Sequence, residues 1–306
     1  MRVTVPCFAK LNLDLRVFHK RPDGYHELRT IFQTISLQDS LIIDFVRAKK
    51  TEIHVASSPE IPDNLVARAA DLITQTLNIK ARIRLTLEKR IPIGAGLGGG
   101  SSDAAAVLLA LPALAGKPIG TGRRIDLAES LGSDVPFFLL GGAALALGRG
   151  TELYPLPDLP RQHAVVVSPG IHISTAEAYK ALGRPTATSL TSHDNSHILG
   201  EFQSLVWALS NRSLDELPLK NDFEEAVFRN HREVASAVRK LRRLGARPAY
   251  MTGSGSAVFG IFSTSAEARA ACAAFAPEAA FAVKFLSRRE YENAWRRALA
   301  RARATE

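Results

Sequence analysis

The chain is poor in cysteine, with only Cys7 and Cys272 among 306 residues. That excludes a disulfide framework and fits two reduced thiols. No apolar run reaches the roughly 18 residues needed to span a bilayer. The opening stretch Met1-Arg2-Val3-Thr4-Val5-Pro6 alternates like a strand and is not built as a signal peptide. A cytoplasmic protein is therefore expected, with no membrane partner. There is no aromatic-studded basic strand of the kind that stacks bases, and no internal repeat. Acidic residues are outnumbered, 30 Asp and Glu against 39 Lys and Arg, for a net charge of +9. Such a surplus can mark a nucleic-acid binder or an anionic substrate. Here much of it sits in Arg239-Lys240-Leu241-Arg242-Arg243 and in Arg288 to Arg303, where helical apolar spacing predicts solvated faces. No nucleic-acid partner is expected. Hydrophobic residues at 46% and charged residues at 23% are ordinary globular values.

What is abundant is glycine in one place. Pro92-Ile93-Gly94-Ala95-Gly96-Leu97-Gly98-Gly99-Gly100-Ser101-Ser102-Asp103 holds five glycines in seven positions. Glycine tolerates positive φ and lets backbone approach another group closely. Two serines then open an Ala- and Leu-rich helical run, and serine is a favoured N-cap. A glycine loop feeding a helix N-terminus is suited to an anion, because unpaired N–H groups and the helix dipole converge there. Gly94, Gly96 and Gly99 also spell GxGxxG, but no acidic residue follows about 20 positions later, as a dinucleotide site requires. Gly116-Lys117-Pro118 does not complete a P-loop. The loop is thus a phosphate cradle of neither common scheme, or a flexible turn.

Strands are predicted at Val3–Cys7, Leu11–Val17, Ile31–Leu37, Leu41–Val46, Ile53–Ala56 and Ile83–Leu87. Helices are predicted at 63–77, with Asp63 as cap, and at about 101–114 and 124–131. The chain after residue 163 reads as a strand, four helices and then β-β-α-β-α. Tyr154-Pro155-Leu156-Pro157-Asp158-Leu159-Pro160 carries three prolines. It is the predicted boundary between two α+β domains, 1–157 and 158–306.

Three further segments carry polar groups suited to chemistry. In Phe8-Ala9-Lys10-Leu11-Asn12-Leu13, Lys10 and Asn12 share a strand face, as they would on any solvated edge. In Gly132-Ser133-Asp134-Val135-Pro136, Asp134 sits in a turn before an apolar run, as a helix cap would. Met251-Thr252-Gly253-Ser254-Gly255-Ser256-Ala257 is a Gly/Ser turn between two strands, and a plain hairpin explains it equally well.

Together with the glycine loop, these segments resemble the GHMP kinase superfamily. That resemblance implies a two-domain α+β fold, with an N-terminal ATP-binding domain, a C-terminal ferredoxin-like domain and the active site between them. Arg21-Pro22-Asp23-Gly24-Tyr25-His26-Glu27-Leu28, Lys220-Asn221-Asp222-Phe223-Glu224, and Thr175 with Tyr179 resemble one branch of it. Enzymes of that branch phosphorylate the 2-hydroxyl of a methylerythritol moiety linked to cytidine diphosphate, for isoprenoid precursor synthesis. The resemblance implies ATP phosphates on Pro92, Ile93, Gly94, Ala95, Gly96, Leu97, Gly98, Gly99, Gly100, Ser101 and Ser102. It implies Asp134 as general base with Lys10 beside it, Tyr25, His26 and Tyr179 on the cytidine end, and Asn12 and Thr175 as substrate contacts. Mg²⁺ is expected with ATP, its protein contact unassigned apart from Ser102 as a candidate. Phe8, Asp14 and His19 depart from the residues usual at those positions. A monomer or homodimer is expected. Two other readings stay open: another GHMP-type kinase acting on mevalonate, homoserine or a sugar, and a basic non-enzymatic nucleotide- or RNA-binding protein.

Overall fold

The computed structural model describes residues 1–184, 192–209 and 213–303. β1 (Arg2–Lys20) and β2 (His26–Arg47) form one long antiparallel hairpin. Each was expected as two shorter strands. The pairing instead runs on through Gln38, Asp39 and Ser40, while β1 absorbs its interruptions as register shifts between Phe8 and Lys10 and between Asn12 and Asp14. β2 then pairs with β4 (Ala81–Glu88) through residues 40–47 and with β5 (Ala143–Leu147) through residues 30–33. β3 (Glu52–Ser58) lies parallel to β4, and β6 (Glu152–Pro155) pairs with β5, completing a six-stranded mixed sheet.

The helices α1 (Leu65–Thr76), α2 (Gly99–Leu114), α3 (Thr121–Leu131) and the short α4 (Phe137–Leu140) pack on this sheet. Asn64, not Asp63, caps α1, its side-chain oxygen accepting from Val66 N at 3.0 Å. α2 is buried nearly all round by Ala104 to Leu108, Ala110 and Leu111, which is why its sequence shows little amphipathic alternation.

The second sheet is four-stranded and antiparallel, in the order β10 (Ala279–Lys284), β7 (His163–Ser168), β9 (Val258–Phe262), β8 (Ala249–Met251). Between β7 and β8 lie α5 (Thr175–Leu182), α6 (Ser192–Leu209), α7 (Glu224–Asn230) and α8 (Arg232–Arg243); α9 (Ser265–Ala273) joins β9 to β10. Counted in chain order the strands stand 4-1-3-2, with a helical crossover on each side of the β8–β9 pair, the expected ferredoxin-like pattern. We keep 1–157 and 158–306 as the proposed division, since β6 ends at Pro155 and β7 begins at His163.

The two parts are laced together. β1 exchanges backbone bonds with the segment before α7, from Leu15 N to Lys220 O (2.8 Å) and from Asp222 N to Leu15 O (2.9 Å). Asp14, at a position expected to be apolar, is fully buried between Arg16 Nε (3.0 Å) and Lys220 N (2.9 Å). Burial pushes its carboxyl up despite the nearby Arg16 charge. Helix α10 (Arg288–Arg303) returns to the first core, where Tyr291 and Trp295 are buried. The Tyr291 hydroxyl donates to the Phe138 carbonyl.

One buried cluster anchors the start of α2. Lys89, just past β4, reaches Asp39 of β2 at 2.5 Å and Asp103 of α2 at 2.8 Å. Asp39 also accepts from Arg90 N (2.6 Å) and Ile91 N (2.8 Å). Asp103 keeps one oxygen without a hydrogen-bond partner among the described residues, and the Cys7 thiol lies near its carboxyl group. Two carboxylates therefore share one ammonium in a dry site. Asp39, with two N–H donors, is the better-stabilised anion, and burial with the Asp39 charge pushes Asp103 up to about 7.

Two outcomes follow. Tyr291→Phe strands a buried carbonyl and is expected to lower the unfolding free energy by about 1–3 kcal/mol in denaturant titration; no measurable loss would mean the hydroxyl does not tie α10 to α4. The second concerns pH. Between about pH 4 and pH 7 the folded Asp103 keeps a proton that the unfolded chain has released. Its contribution is full below that window and is lost as pH rises through it. Asp103→Asn lacks this titration, so its melting temperature relative to the parent should rise from pH 4 to pH 7.5. A difference that stays flat with pH would exclude the protonated Asp103.

Candidate active site

Lys10 and Asn12 point to one side of β1, and both are buried, as are Leu11 and Leu13 on the other side. The solvated-edge reading fails because the glycine loop covers the Lys10 face. Lys10 N, on the side of β1 away from β2, donates to Leu97 O at 3.0 Å. Its ammonium donates to Asn12 Oδ1 at 2.6 Å, stands 3.4 Å from Asp134 Oδ2 and lies 5.1 Å from the Phe32 ring centroid. Asn12 Nδ2 donates to Thr30 Oγ1 at 2.7 Å, and Thr30 in turn donates to Asp14 O. Asp134 is not a helix cap: Pro136 occupies the cap position of α4, and the Asp134 carboxylate faces Lys10 with about a third of its side chain exposed.

The glycines of the loop are required by contact. Gly98 has φ +72°, and a Cβ there would come within 2.8 Å of the Phe138 ring and 3.1 Å of the Lys10 side chain. Gly96 has φ +81°, and a Cβ there would run into the Thr252 carbonyl. The late Gly/Ser turn is thus more than a hairpin. It docks on the loop, with Ala257 N donating to Ala95 O at 3.1 Å. Asn221 holds the turn from behind, donating to Met251 O (2.8 Å) and Gly253 O (2.9 Å).

α2 begins differently from the expectation. Its N-cap is Gly98, without any side-chain cap, and Ser101 and Ser102 fall inside the first turn. Left-handed glycine lets the helix start where a serine cap would place a side chain, so the first-turn N–H groups stay free of capping oxygens.

A cavity of about 450 Å³ is lined by the loop from Pro92 to Ser101 together with Lys10, Asn12, Asp134, Thr175 and Tyr179. Ser102 is 2% exposed and does not line it. A second cavity, about 730 Å³, is lined by Tyr25, His26, Asp134, Thr175 and Tyr179 among others. The two cavities therefore meet at Asp134, Thr175 and Tyr179, and the residues singled out in the sequence gather there from separate segments. His26 stacks on Tyr179 with centroids 4.8 Å apart, and Tyr179 meets the Phe223 edge at 4.9 Å. Burial, then the Lys20 and Arg184 charges, lower the His26 pKa, so the ring is neutral at pH 7. Burial and the Asp134 charge push the Tyr179 phenol up to about 12, keeping it protonated. Thr175 and Ser254 hydroxyls share a hydrogen bond at 3.2 Å.

Sequence reasoning missed several lining residues. Lys89 precedes the loop directly, and Arg149 stands between two glycines; both spacings were visible signals. Asn64 and Leu65, at the start of α1, also line the cavity and carried no signal beyond a helix start. Among the described residues no group of three or more His, Cys, Asp or Glu side chains could hold a metal ion by itself, and no helix is long and apolar enough to cross a membrane.

The chain is similar to known kinases in sequence and in fold. Residues 64–142 match the family description GHMP kinases N terminal domain, and residues 205–280 match GHMP kinases C terminal. A 4-diphosphocytidyl-2-C-methyl-D-erythritol kinase from Solibacter usitatus is 50% identical over 95% of this chain and 91% of its own. A crystal structure of 4-(cytidine 5'-diphospho)-2C-methyl-D-erythritol kinase superposes with a TM-score of 0.77 at 40% identity, covering 93% of this chain and 99% of that one. A homoserine kinase from Cytophaga hutchinsonii has a TM-score of 0.69 at 18% identity, covers 94% and 95%, and shares the fold alone. The chain belongs to the 4-diphosphocytidyl-2-C-methyl-D-erythritol kinase family, within the GHMP kinases.

Proposed function

We propose that the protein transfers the γ-phosphoryl group of ATP to the 2-hydroxyl of 4-diphosphocytidyl-2-C-methyl-D-erythritol. The observation that carries this reading is the Lys10–Asp134 pair, 3.4 Å apart, where the two cavities meet. One cavity is walled by a glycine loop and a helix N-terminus, which suits the phosphates of ATP. The other carries a neutral imidazole stacked on a phenol, which suits a pyrimidine.

Phosphoryl transfer asks mostly for positioning and charge stabilisation. The acceptor hydroxyl would sit against Asp134, which takes its proton as the new O–P bond forms and the bond to ADP breaks. Lys10 faces the same oxygens and offsets the negative charge of the transferring group. Asn12 fixes the Lys10 ammonium and is itself fixed by Thr30. Asn12 and Thr175 contact the substrate, and Tyr25, His26 and Tyr179 hold its cytidine end. Neutral His26 has one donor and one acceptor nitrogen for the base edge.

The donor set also fits Mg²⁺. A partly exposed Asp134 carboxylate and the Ser101 hydroxyl line the same cavity, and this ion takes few protein ligands beside phosphate oxygens and water. When bound it would draw charge from the ATP phosphates. Ser101, rather than the buried Ser102, is the serine available to it.

Steady-state assays with the cytidyl substrate, homoserine and mevalonate test the reading, and transfer is expected to the first alone. Asp134→Asn and Lys10→Ala are each expected to lower kcat about 10²-fold or more while circular dichroism shows the fold retained. Near-parental kcat in Asp134→Asn would remove the general-base assignment. Transfer to homoserine or mevalonate without transfer to the cytidyl substrate would remove the substrate assignment.

A further inference from the structure

Six cations line the two cavities among the described residues, and only Arg149 lines both. Lys10 is held by Asn12 and Asp134, and Lys89 is clamped between Asp39 and Asp103. Arg184 pairs with Asp222 at 2.9 Å. Lys20 and Lys180 line only the second cavity. Arg149 pairs with Glu129 at 3.4 Å, with both side chains about a third exposed, an ion pair of little stabilising worth.

Its backbone is fixed at the tip of the β5–β6 hairpin. Gly148 and Gly150 on either side have φ of +66° and +93°. Gly148 O accepts from Leu28 N at 2.7 Å, and Gly150 N donates to Leu147 O at 2.9 Å. Leu28 belongs to β2 and also lines both cavities. The guanidinium lies over the Tyr25 ring, 5.3 Å from its centroid. The strand that brings His26 to the second cavity therefore also holds the turn that carries Arg149.

We propose that Arg149 binds the diphosphate linker of the substrate and sets the preference for a nucleoside diphosphate over a bare nucleoside. The inference rests on the substrate reading above. With the cytosine in the second cavity and the acceptor hydroxyl at Asp134, the diphosphate must cross the junction. A doubly charged linker beside the Asp134 carboxylate needs a cation there. A guanidinium offers paired N–H donors that match phosphate oxygens, and it keeps its charge at any working pH. The Tyr25 face beneath it orients the plane. Glu129 can be given up when the linker arrives, because the partly exposed pair is weak.

The test is calorimetric binding of cytidine and of cytidine diphosphate, with a non-hydrolysable ATP analogue filling the nucleotide-donor site. The parent protein should bind cytidine diphosphate more tightly than cytidine. Arg149→Gln should lose that preference by about ten- to a hundredfold while cytidine binding holds, the range for one charged hydrogen-bonding group. KM for the full substrate should rise by a similar factor. KM for ATP and the melting temperature should stay, and Arg149→Lys should restore part of the preference. A retained diphosphate preference in Arg149→Gln would overturn the proposal, as would a loss found in KM for ATP or in the melting temperature. If the parent protein bound neither cytidine nor its diphosphate and left the cytidyl substrate unphosphorylated, the substrate reading would fall first, and this assignment with it.

Discussion

The close approach of two glycine turns is the constraint on which the rest depends. Gly96 and Gly253 come so near that a Cβ built on Gly253 would lie 3.0 Å from Gly96 backbone. The Gly96 side of the contact admits no side chain either, since a Cβ there meets the Thr252 carbonyl. The loop of the first sheet is thereby joined to the turn of the second. The same loop, through Leu97 O, accepts from the Lys10 amide on the free side of β1. This contact, with the Leu15–Lys220 and Asp222–Leu15 bonds, ties the loop and β1 of the first part to the second. Larger residues at either glycine would push the loop and the late turn apart.

Charge is distributed to match. The groups buried under the loop are paired in a chain, from Lys10 through Asn12 and Thr30 to the Asp14 carbonyl. Lys89 and its two carboxylates form a second closed set under the start of α2. Buried charges without partners are costly, so these sets hold their cations at fixed places. A fixed cation needs no reorganisation when a phosphoryl group passes over it. The same rigidity keeps Lys89 from serving as a free counter-charge, which is why the junction of the cavities falls to Arg149.

Local signals in the sequence were enough to locate most of this and not enough to assemble it. The glycine loop announced itself by composition, and the helix after it ends at Leu114 as its pattern predicts. β2 misled because the polar run Gln38, Asp39 and Ser40 breaks the alternation that marks a strand, although pairing with β1 continues across it. Asp134 looked like a cap since its partner, Lys10, is 124 positions away in the chain. Ser101 and Ser102 looked like caps since glycine in the left-handed region, the actual start of α2, is visible only in dihedral angles. Asp14 stood out as a departure whose reason, a buried pair with Arg16 and a backbone amide of a distant segment, needs the tertiary contact to be seen.

The same contrast bears on how a shared fold takes different substrates. The homoserine kinase with a TM-score of 0.69 has the two-sheet frame at 18% identity, so the frame by itself fixes no acceptor. On the reading proposed above, the glycine contact and the Lys10–Asp134 pair belong to the phosphoryl-transfer step, and that step would be the same for any alcohol. The stack of His26 on Tyr179 and the Arg149 turn line the second cavity, with Tyr179 and Arg149 bordering the first as well, and they stand on β2, α5 and the β5–β6 hairpin. α5 also touches the late turn, through the Thr175–Ser254 hydroxyl pair. Selectivity can thus change at Tyr25 and His26, which line only the second cavity, while Lys10 and the glycine loop, which line only the first, stay as they are.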